Sequence, residues 1–213
     1  MTPEQFVKEV LVDRLGVKGI IVGYDFKFGK GGAGNVELLE KLSKEYDFYF
    51  EVIEAITMDG EKIGSNMIRK LIMNGDVERA AKLLGRVHMI EGIVVRGENR
   101  GKPMGFPTIN LETIFELVPK NGVYMTEVEV DDIRMPSVTN IGFNPTFGGK
   151  KFLVETHILD FKGDLYDREV IIHFHKRVRD EMKFSGIDEL KARIAADVAA
   201  ARLYFQDREI GNK

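Results

Sequence analysis

The chain has 213 residues, of which 44% are hydrophobic and 31% charged, with a formal net charge of -3 and no cysteine. This length allows one large domain or two small ones, and either can bury a core. The lack of cysteine excludes disulfides, thiolate metal sites and a cysteine nucleophile. The small net charge and the interspersed basic residues exclude a general attraction to nucleic acid or anionic membranes.

The first part of the chain alternates between helical and strand patterns. Thr2, Pro3 and Gln5 predict a helix start with a capping box, and an amphipathic helix is expected over residues 3–15. Neither an apolar signal core nor a run of about 18 apolar residues is present, so we expect a soluble cytoplasmic protein. The order of elements is typical of an α/β fold with a parallel sheet. The patterns predict strands at 19–23 and 48–56, a helix at 35–46, and two helices within 65–84 that break at 74–76.

After Gly85 the pattern is mostly that of strands separated by Gly, Asn, Asp and Pro turns. Short strands at this spacing are typical of a small antiparallel barrel or sandwich. A final helix with one apolar face is predicted at about 186–206. We therefore place a boundary near residue 85, with domains 1–84 and 85–213 in an α+β protein. The predicted strands cover 89–96, 122–130, 137–141, 152–161 and 169–174.

A glycine-rich segment at 29–34 formally matches G-x-G-x-x-G. The dinucleotide fingerprint follows its strand immediately, whereas residues 24–28 intervene here, and no Lys-Ser/Thr pair follows as in a Walker A loop. Two interpretations stay open from these residues: a flexible turn, or a loop that holds an anion through its amides with help from Lys27 and Lys30.

The four histidines give a weak signal. His173 and His175 lie two apart on one face of a predicted strand, a spacing that could ligate a metal. Two ligands are too few for a site and no third is evident, so we favour a surface or edge-strand pair. His88 and His157 have no recognisable partner in the sequence.

The segment 96–111 combines glycines, prolines and cations, which predicts a shaped loop that lets a ligand approach the backbone. Thr108 and Asn110 lie two apart, so in an extended chain both side chains offer oxygen to a hard cation or a phosphate. The alternative is a turn in which they bond their own backbone. Glu155, within an apolar strand, is either a solvated residue on a barrel face or, in a pocket, a general base toward a hydroxyl.

Together, ordered segments of this region resemble the riboflavin kinase module of bacterial bifunctional riboflavin kinase/FAD synthetases. Residues 100–111 are similar to its R-G-x-x-L-G-F-P-T-A-N-L motif, with Met for Leu and Ile for Ala. Residues 140–149 resemble N-I-G-x-x-P-T-F-G, and 154–166 resemble V-E-x-H-L-L-D-F followed by G-D-L-Y. A Lys-Phe pair at 183–184, ahead of a helix, completes the order.

The resemblance implies a small antiparallel barrel with a C-terminal helix that uses MgATP to phosphorylate the 5′-hydroxyl of riboflavin, giving FMN. Glu155 would be the catalytic base, Thr108 would ligate Mg²⁺, and Asn110 would contact the metal–nucleotide phosphates. The implied ATP-binding residues are Arg96, Gly97, Arg100, Gly101, Lys102, Gly105, Thr108 and Asn110, and the implied flavin-binding residues are Asp160, Phe161, Asp164 and Tyr166.

Residues 1–84 resemble the second half of the same family's FMN adenylyltransferase module, a partial α/β nucleotidyltransferase-like segment. Residues 22–31 match its V-G-x-D-F-x-F-G-x-G loop, and 63–69 stand where I-S-S-T-x-I-R is expected. The family's first half carries G-x-F-D-G-x-H-x-G-H, whereas no histidine precedes His88 here, so we expect no FAD synthesis by this chain alone. The remnant of that site would comprise Asp25, Phe26, Gly29, Ser65 and Arg69.

Three hypotheses follow. The first is a riboflavin kinase with a truncated adenylyltransferase half, whose partners are riboflavin and ATP and neither nucleic acid nor membrane. The second is a non-catalytic binder of flavin or nucleotide. The third is a subunit or fragment that associates with another chain, or with itself, through an incomplete N-terminal sheet with unpaired edges and apolar faces.

Overall fold

A computed structural model describes residues 1–58, 60–97, 101–146 and 149–211, with side chains described outside 143–152 and 209–211. The chain divides into two compact units between Ile63 and Gly64. The pair of helices predicted within 65–84 belongs to the second unit. The domain boundary near residue 85, inferred from the change to a strand-rich pattern, stays a prediction.

The first unit begins with helix α1, which is α-helical over Pro3–Gln5 and continues as a π-helix over Phe6–Arg14. Its start confirms the predicted capping box. Thr2 Oγ1 accepts a hydrogen bond from the Gln5 amide at 3.2 Å, and Gln5 Oε1 accepts one from the Thr2 amide at 3.0 Å. These bonds satisfy amides that have no partner within the helix.

The sheet of the first unit is small. Strand β1 (Gly19–Gly23) pairs in parallel with β2 (Tyr49–Ile53), and helix α2 (Val36–Glu45) lies between them in sequence. A hairpin of β3 (Thr57–Met58) and β4 (Glu61–Lys62) follows. The core of this unit consists of the buried residues Val7, Val22, Phe28, Leu39, Leu42 and Phe48.

The second unit begins with helices α3 (Ser65–Met73) and α4 (Val77–Leu84). The break predicted between them is confirmed, because Gly75 has a φ of +83° that favours glycine. Asp76 then caps α4, its carboxylate accepting from the Arg79 amide at 3.1 Å. The first residue of α4, Val77, is fully buried in the core of the following barrel.

The rest of the second unit is an antiparallel barrel followed by a helix, as predicted. Its strands are β5 (His88–Val95), β6 (Ile109–Glu112), β7 (Gly122–Val130), β8 (Ile133–Thr146), β9 (Gly149–Ile158) and β10 (Glu169–Arg179). Within the described residues these six strands close in the order β10-β5-β6-β9-β8-β7. Closure gives each of them two neighbours, so none of the six strands, as far as they are described, has a free edge.

The barrel interior is mainly aliphatic and aromatic, with Ile90, Ile141, Ile172 and Phe174 fully buried. It also encloses a chain of hydroxyl groups. Oxygen–oxygen distances are 2.7 Å between Thr126 and Ser137, 2.7 Å between Thr126 and Thr139, and 2.8 Å between Thr139 and Thr156. These contacts satisfy polar groups that would otherwise be costly to bury.

Helix α5 (Ile187–Gly211) covers part of the outer surface of the barrel. Its Ala201 and Phe205 are buried in a cluster with Val123 of β7 and Val138 of β8. A buried ion pair also attaches the helix, since Arg179 Nε donates to Asp197 Oδ2 at 2.9 Å. No described helix is both long enough and apolar enough to cross a membrane.

The expectation that His173 and His175 form a surface or edge-strand pair is wrong. Strand β10 pairs with β5 and β7, and the two histidines are only 4% and 8% exposed. His173 Nε2 lies 2.9 Å from a carboxylate oxygen of Glu129, and His175 Nε2 lies 2.6 Å from one of Glu127. The rings of Tyr204 and Phe205 on α5 cover His175. Each histidine is therefore the partner of a strand glutamate, and His175 also lies beneath α5, a helix far from it in sequence.

Candidate active site

Three neighbouring strands bring one acid and two amides into a row. Glu155 on β9 lies opposite Asn110 on β6 and opposite Asn140 on β8. Directly opposite residues share one face of a sheet, and the flanking Val154 and Thr156 are buried toward the interior. The row therefore lies on the outer surface of the barrel.

This row forms part of the wall of a cavity of about 640 Å³ between the outer barrel surface and α5. An apolar portion of the wall combines strand and helix residues, and polar groups converge beside it. A cavity of this size and character is typical of a small-molecule site. The apolar portion includes Val123, Val138, Leu153, Leu190, Ile194 and Val198.

Asn110 reaches this wall because residue 97 is a glycine. A Cβ atom at Gly97 would lie 2.0 Å from Asn110 Nδ2, far inside van der Waals contact. Asn110 is only 6% exposed, so its amide has little room to move aside. The glycine therefore shapes the position of the amide.

Thr108 follows a closed turn that leads into β6. The Gly101 carbonyl accepts hydrogen bonds from the amides of Met104 at 3.1 Å and Phe106 at 3.0 Å. A Cβ at Gly101 would lie 2.1 Å from the Phe106 carbonyl oxygen, so this turn also requires glycine. Thr108 and Asn110 both line the large cavity, and Asn110 pairs within the barrel ladder, which excludes the interpretation that it belongs to a turn.

A second cavity of about 360 Å³ also has Thr108 in its wall. Lys102, Phe161, Asp164 and Tyr166 line it as well. The Arg96 guanidinium lies 5.2 Å from the centroid of the Tyr166 ring, while Arg96 itself lines the larger cavity. Thr108 and the Arg96–Tyr166 pair thus stand at the junction of the two cavities.

Models of two known protein families match two successive segments of this chain. A protein-family model described as riboflavin kinase matches residues 84–205, more than half of the chain. The chain belongs to the riboflavin kinase family. A second model, described as FAD synthetase, matches residues 1–67.

Curated relatives are longer than this riboflavin kinase family member. The bifunctional riboflavin kinase/FMN adenylyltransferase of Pseudomonas fluorescens is 38% identical over 203 residues, which cover 95% of this chain and 65% of that protein. The Escherichia coli (strain K12) protein of the same name is 37% identical over 206 residues, covering 96% and 66%. The chain therefore spans slightly less than two thirds of the length of these relatives.

A solved structure supports the fold over nearly the whole chain. It is a crystal structure described as a macrolide-efflux protein from Streptococcus pneumoniae, with a TM-score of 0.85 and 31% sequence identity. The match covers 95% of this chain and 65% of that one. The described function belongs to that protein; what it shares with this family member is the fold.

The structure distributes the residues predicted for the riboflavin kinase site over the two cavities. Glu155 lines the larger one, Thr108 lines both, and Gly105 is on neither wall; Arg100 lies outside the described residues. The predicted residues on the larger wall are Arg96, Gly97, Gly101, Thr108, Asn110 and Glu155, and those on the smaller wall are Lys102, Thr108, Phe161, Asp164 and Tyr166.

Asp160 is on neither cavity wall. Its carboxylate forms a two-pronged ion pair with the guanidinium of Arg202 on α5, and this hydrogen bonding lowers the pKa of Asp160. Asp160 also adopts a left-handed backbone conformation, with φ of +57°. Its contacts are those of a residue that attaches α5 to the barrel, and a role in flavin binding stays a prediction.

Several polar residues of the larger cavity were not predicted from the sequence, among them Asn140, His157, Arg179 and Asp197. His157 occupies the histidine of the V-E-x-H motif, which was the available signal, and its Nδ1 lies 2.8 Å from the Pro107 carbonyl oxygen. Arg179 and Asp197 are 18 positions apart, and their ion pair carries no sequence signal.

A magnesium ion suits the oxygen donors of this site. Among the described residues, no cluster of three or more His, Cys, Asp or Glu side chains could hold a metal. Mg²⁺ commonly keeps several waters and shares substrate phosphates with one or two protein oxygens. The Thr108 hydroxyl and the Asn110 amide, held against Gly97, offer such oxygens on one wall.

The predicted adenylyltransferase remnant is divided between the two compact units. Asp25, Phe26 and Gly29 belong to the first, and Ser65 and Arg69 to the second. In the first unit the ring of Phe26 stacks on that of Phe28 at 5.7 Å. In the second, Arg69 donates to Asn66 Oδ1 at 3.2 Å within α3.

In the glycine-rich loop of the first unit, several backbone amides already donate hydrogen bonds to backbone carbonyls. Phe28 and Gly34 bond to each other in both directions, at 3.1 Å and 2.9 Å. The amides of Lys30, Gly32 and Ala33 donate to other backbone carbonyls. An anion cradle needs free, convergent amides, so the described contacts favour the turn interpretation.

Proposed function

We propose that this chain is a riboflavin kinase, which transfers the γ-phosphoryl group of ATP to the 5′-hydroxyl of riboflavin and releases FMN. The observation that carries the proposal is the row of Asn110, Glu155 and Asn140 on the wall of the larger cavity, with Thr108 at the junction of the two cavities. Membership of the riboflavin kinase family supports it.

Glu155 would act as the general base. Its carboxylate would take the proton of the 5′-hydroxyl as the hydroxyl oxygen attacks the γ-phosphorus and the bond to the β,γ-bridging oxygen breaks. A positioned base contributes about 10²–10⁴ in rate. The rest of the rate enhancement would come from alignment of the substrates and neutralisation of the phosphate charge, because phosphoryl transfer requires little covalent chemistry from the protein.

Thr108 and Asn110 would hold Mg²⁺ together with the nucleotide phosphates. When bound, the ion supplies neutralisation of the phosphate charge. Arg96 adds a fixed positive charge at the junction, where its stacking on Tyr166 restrains the guanidinium. These residues would align the phosphates with the hydroxyl beside Glu155.

The geometry favours one placement of the two substrates. The proposed base, Glu155, lines the larger cavity, so the 5′-hydroxyl must reach that wall. The apolar surface contributed by Val138 and Leu190 suits the flavin ring system. ATP would then occupy the smaller cavity with its base near Tyr166. The placement of flavin at Phe161, Asp164 and Tyr166, which the family resemblance implied, is the alternative arrangement.

Two substitutions separate these arrangements. Tyr166→Ala removes an aromatic surface worth about tenfold in affinity for a stacked base. With ATP in the smaller cavity, Tyr166→Ala raises the KM for ATP and Leu190→Ala raises the KM for riboflavin. With flavin in the smaller cavity, the KM for riboflavin rises in Tyr166→Ala instead. Steady-state kinetics with each substrate varied in turn gives the answer.

The activity itself is tested with purified chain, riboflavin and MgATP, resolving FMN and FAD by chromatography. We expect FMN without FAD, and a loss of about 10²–10⁴ in kcat for Glu155→Gln. The matched control is Glu91→Gln, which removes an exposed carboxylate from β5 and should leave turnover unchanged. If the folded wild type binds riboflavin but forms no FMN, the kinase proposal is refuted and the hypothesis of a non-catalytic flavin-binding protein is supported.

Self-association through the first unit is a second candidate. Ile21, Tyr49 and Ile53 lie on the same face of the β1–β2 sheet and are 59%, 60% and 53% exposed. Exposed apolar groups on a small sheet favour pairing with another surface. Sedimentation velocity of the wild type and of Ile21→Lys tests this, because a dimer of this kind would dissociate in the variant. A monomeric wild type would exclude it.

A further inference from the structure

The ladder between β6 and β9 stops one step short of Thr108, the proposed metal ligand. Its last pairs are Asn110 with Glu155 and Ile109 with Thr156. The next step in the same register would place Thr108 opposite His157. No ladder pair is formed there within the described residues, and Pro107, which precedes Thr108, has no amide hydrogen to contribute.

The His157 side chain lies at this point. Its Nδ1 is 2.8 Å from the Pro107 carbonyl oxygen. Its ring meets the Phe106 ring edge-on, with 5.6 Å between centroids and an interplanar angle of 88°. His157 is also on the outer face with Glu155, two positions away on the same strand, and lines the larger cavity.

We propose that His157 is a positioning residue for the phosphate and metal site, an inference that rests on the proposed kinase function. Its imidazole replaces the absent ladder bond and holds the Pro107–Thr108 peptide in place. A carbonyl oxygen accepts only, so Nδ1 carries the proton and donates it. The Thr108 hydroxyl is thereby held beside Asn110, and the strand that carries Glu155 sets the position of both.

Side-chain geometry supplies matched variants. The amide nitrogen of asparagine is two bonds from Cβ, like Nδ1, whereas that of glutamine is three bonds away, like Nε2 of the imidazole. His157→Asn keeps a donor near Pro107, His157→Gln moves it, and His157→Leu removes it. The comparison therefore separates a donor at Nδ1 from mere bulk or polarity.

The first readout is kinetic. We expect kcat to fall about three- to tenfold in His157→Gln and His157→Leu, as for the loss of one hydrogen bond, with the KM for riboflavin unchanged. His157→Asn should retain most of the wild-type kcat. Thermal unfolding of each variant is measured in parallel, because a purely structural role would lower stability without this order of kcat values.

The second readout does not depend on turnover. Calorimetry measures the affinity for ADP with Mg²⁺ and with a chelator, and the ratio of the two affinities reports the metal-dependent part of binding. We expect this ratio to fall about three- to tenfold in His157→Gln and to persist in His157→Asn. If all three variants match the wild type in both readouts, or if His157→Asn is as impaired as His157→Leu, His157 does not position the site.

The two proposals fail differently. If the wild type makes FMN, and the wild type and all three His157 variants have equal kcat values and equal ADP affinity ratios, the role of His157 is overturned and the kinase proposal stands. If the wild type makes no FMN, but the wild type and the His157 variants show the expected order of metal-dependent ADP affinities, the kinase proposal is overturned and the positioning role stands. A folded wild type without metal-dependent ADP binding would overturn both.

Discussion

The two units of this chain bury their sheets to different extents. In the second unit each described barrel strand has a neighbour on both sides, and the interior contains fully buried Ile172 and Phe174. In the first unit two described strands pair in parallel, and Ile21, Tyr49 and Ile53 remain more than half exposed. Closure of the ladder thus gives the second unit a continuous outer surface on which cross-strand neighbours can form a site.

Their glycine-rich segments differ in the same way. Gly97 and Gly101 stand where a Cβ would strike Asn110 or the Phe106 carbonyl, so these glycines shape a cavity wall. Gly31 in the first unit has open space around the position of a Cβ, and its φ of +67° is the feature that favours glycine. Glycine thus shapes a cavity wall in one segment and a turn in the other.

The largest expected effects come from truncating each core. Phe174→Ala should cost about 3–5 kcal/mol of unfolding free energy and Leu39→Ala about 2–5 kcal/mol, since both side chains are almost fully buried. Hydrogen exchange resolved by peptide should show each loss in its own unit. Equal loss of protection in both units from either variant would contradict the division of the chain between Ile63 and Gly64.

Next comes the ion pair that attaches α5. Side chains of Arg179 and Asp197 are 12% and 4% exposed, so Arg179→Met leaves a buried carboxylate. Because Arg193 still lies 3.3 Å from Asp197, we expect the lower end of such losses, about 3 kcal/mol by chemical denaturation. The contrasting change is Lys44→Met, which breaks the exposed pair with Glu40 on α2 and should cost about 0.5 kcal/mol or less. If Arg179→Met and Lys44→Met lose similar amounts of unfolding free energy, burial does not determine how much each ion pair contributes to stability.

A glycine exchange compares the two loops. Gly97→Ala should lower kcat/KM by about tenfold to a hundredfold, because the added methyl displaces Asn110. Gly31→Ala should leave kinase kinetics unchanged and cost about 1 kcal/mol in the first unit, from the left-handed backbone conformation alone. Wild-type kinetics in Gly97→Ala would show that the position of Asn110 is not needed.

The smallest effect is a difference in pH dependence. Burial lowers the pKa of His173 below its ordinary 6.5, hydrogen bonding from Arg134 lowers the pKa of Glu129, and hydrogen bonding from His175 lowers that of Glu127. On acidification the unfolded chain therefore takes up protons first, at the histidine below pH 6.5 and at the glutamates below their ordinary 4.5. The second unit should lose stability as the pH falls.

The first unit has no histidine, so its stability should stay level between about pH 7.5 and pH 5.5. Urea denaturation followed by NMR signals from each unit measures the two profiles. His173→Gln keeps a donor for Glu129 without titrating, and should reduce the histidine part of the profile of the second unit. Part of it should persist, because burial also lowers the pKa of His88. An unchanged profile in that variant would exclude His173 as its source.

Local patterns predicted much of the fold. The capping box at Thr2, the break before Asp76 and the strand Gly122–Val130 each depend on residues close in sequence, and the structure confirms them. The resemblance of motifs anticipated the barrel and assigned Thr108, Asn110 and Glu155 to one site, and these three do share a cavity wall. Their chemical roles remain proposals.

The sequence by itself determined the elements, the family and the residue types available for the chemistry, since propensity, capping and motifs are local properties. Tertiary structure decided the rest, because strand register and helix docking join distant residues. Register placed Glu155 between Asn110 and Asn140, and brought His157 against Pro107. Docking of α5 paired Asp160 with Arg202 and closed the larger cavity over the strands.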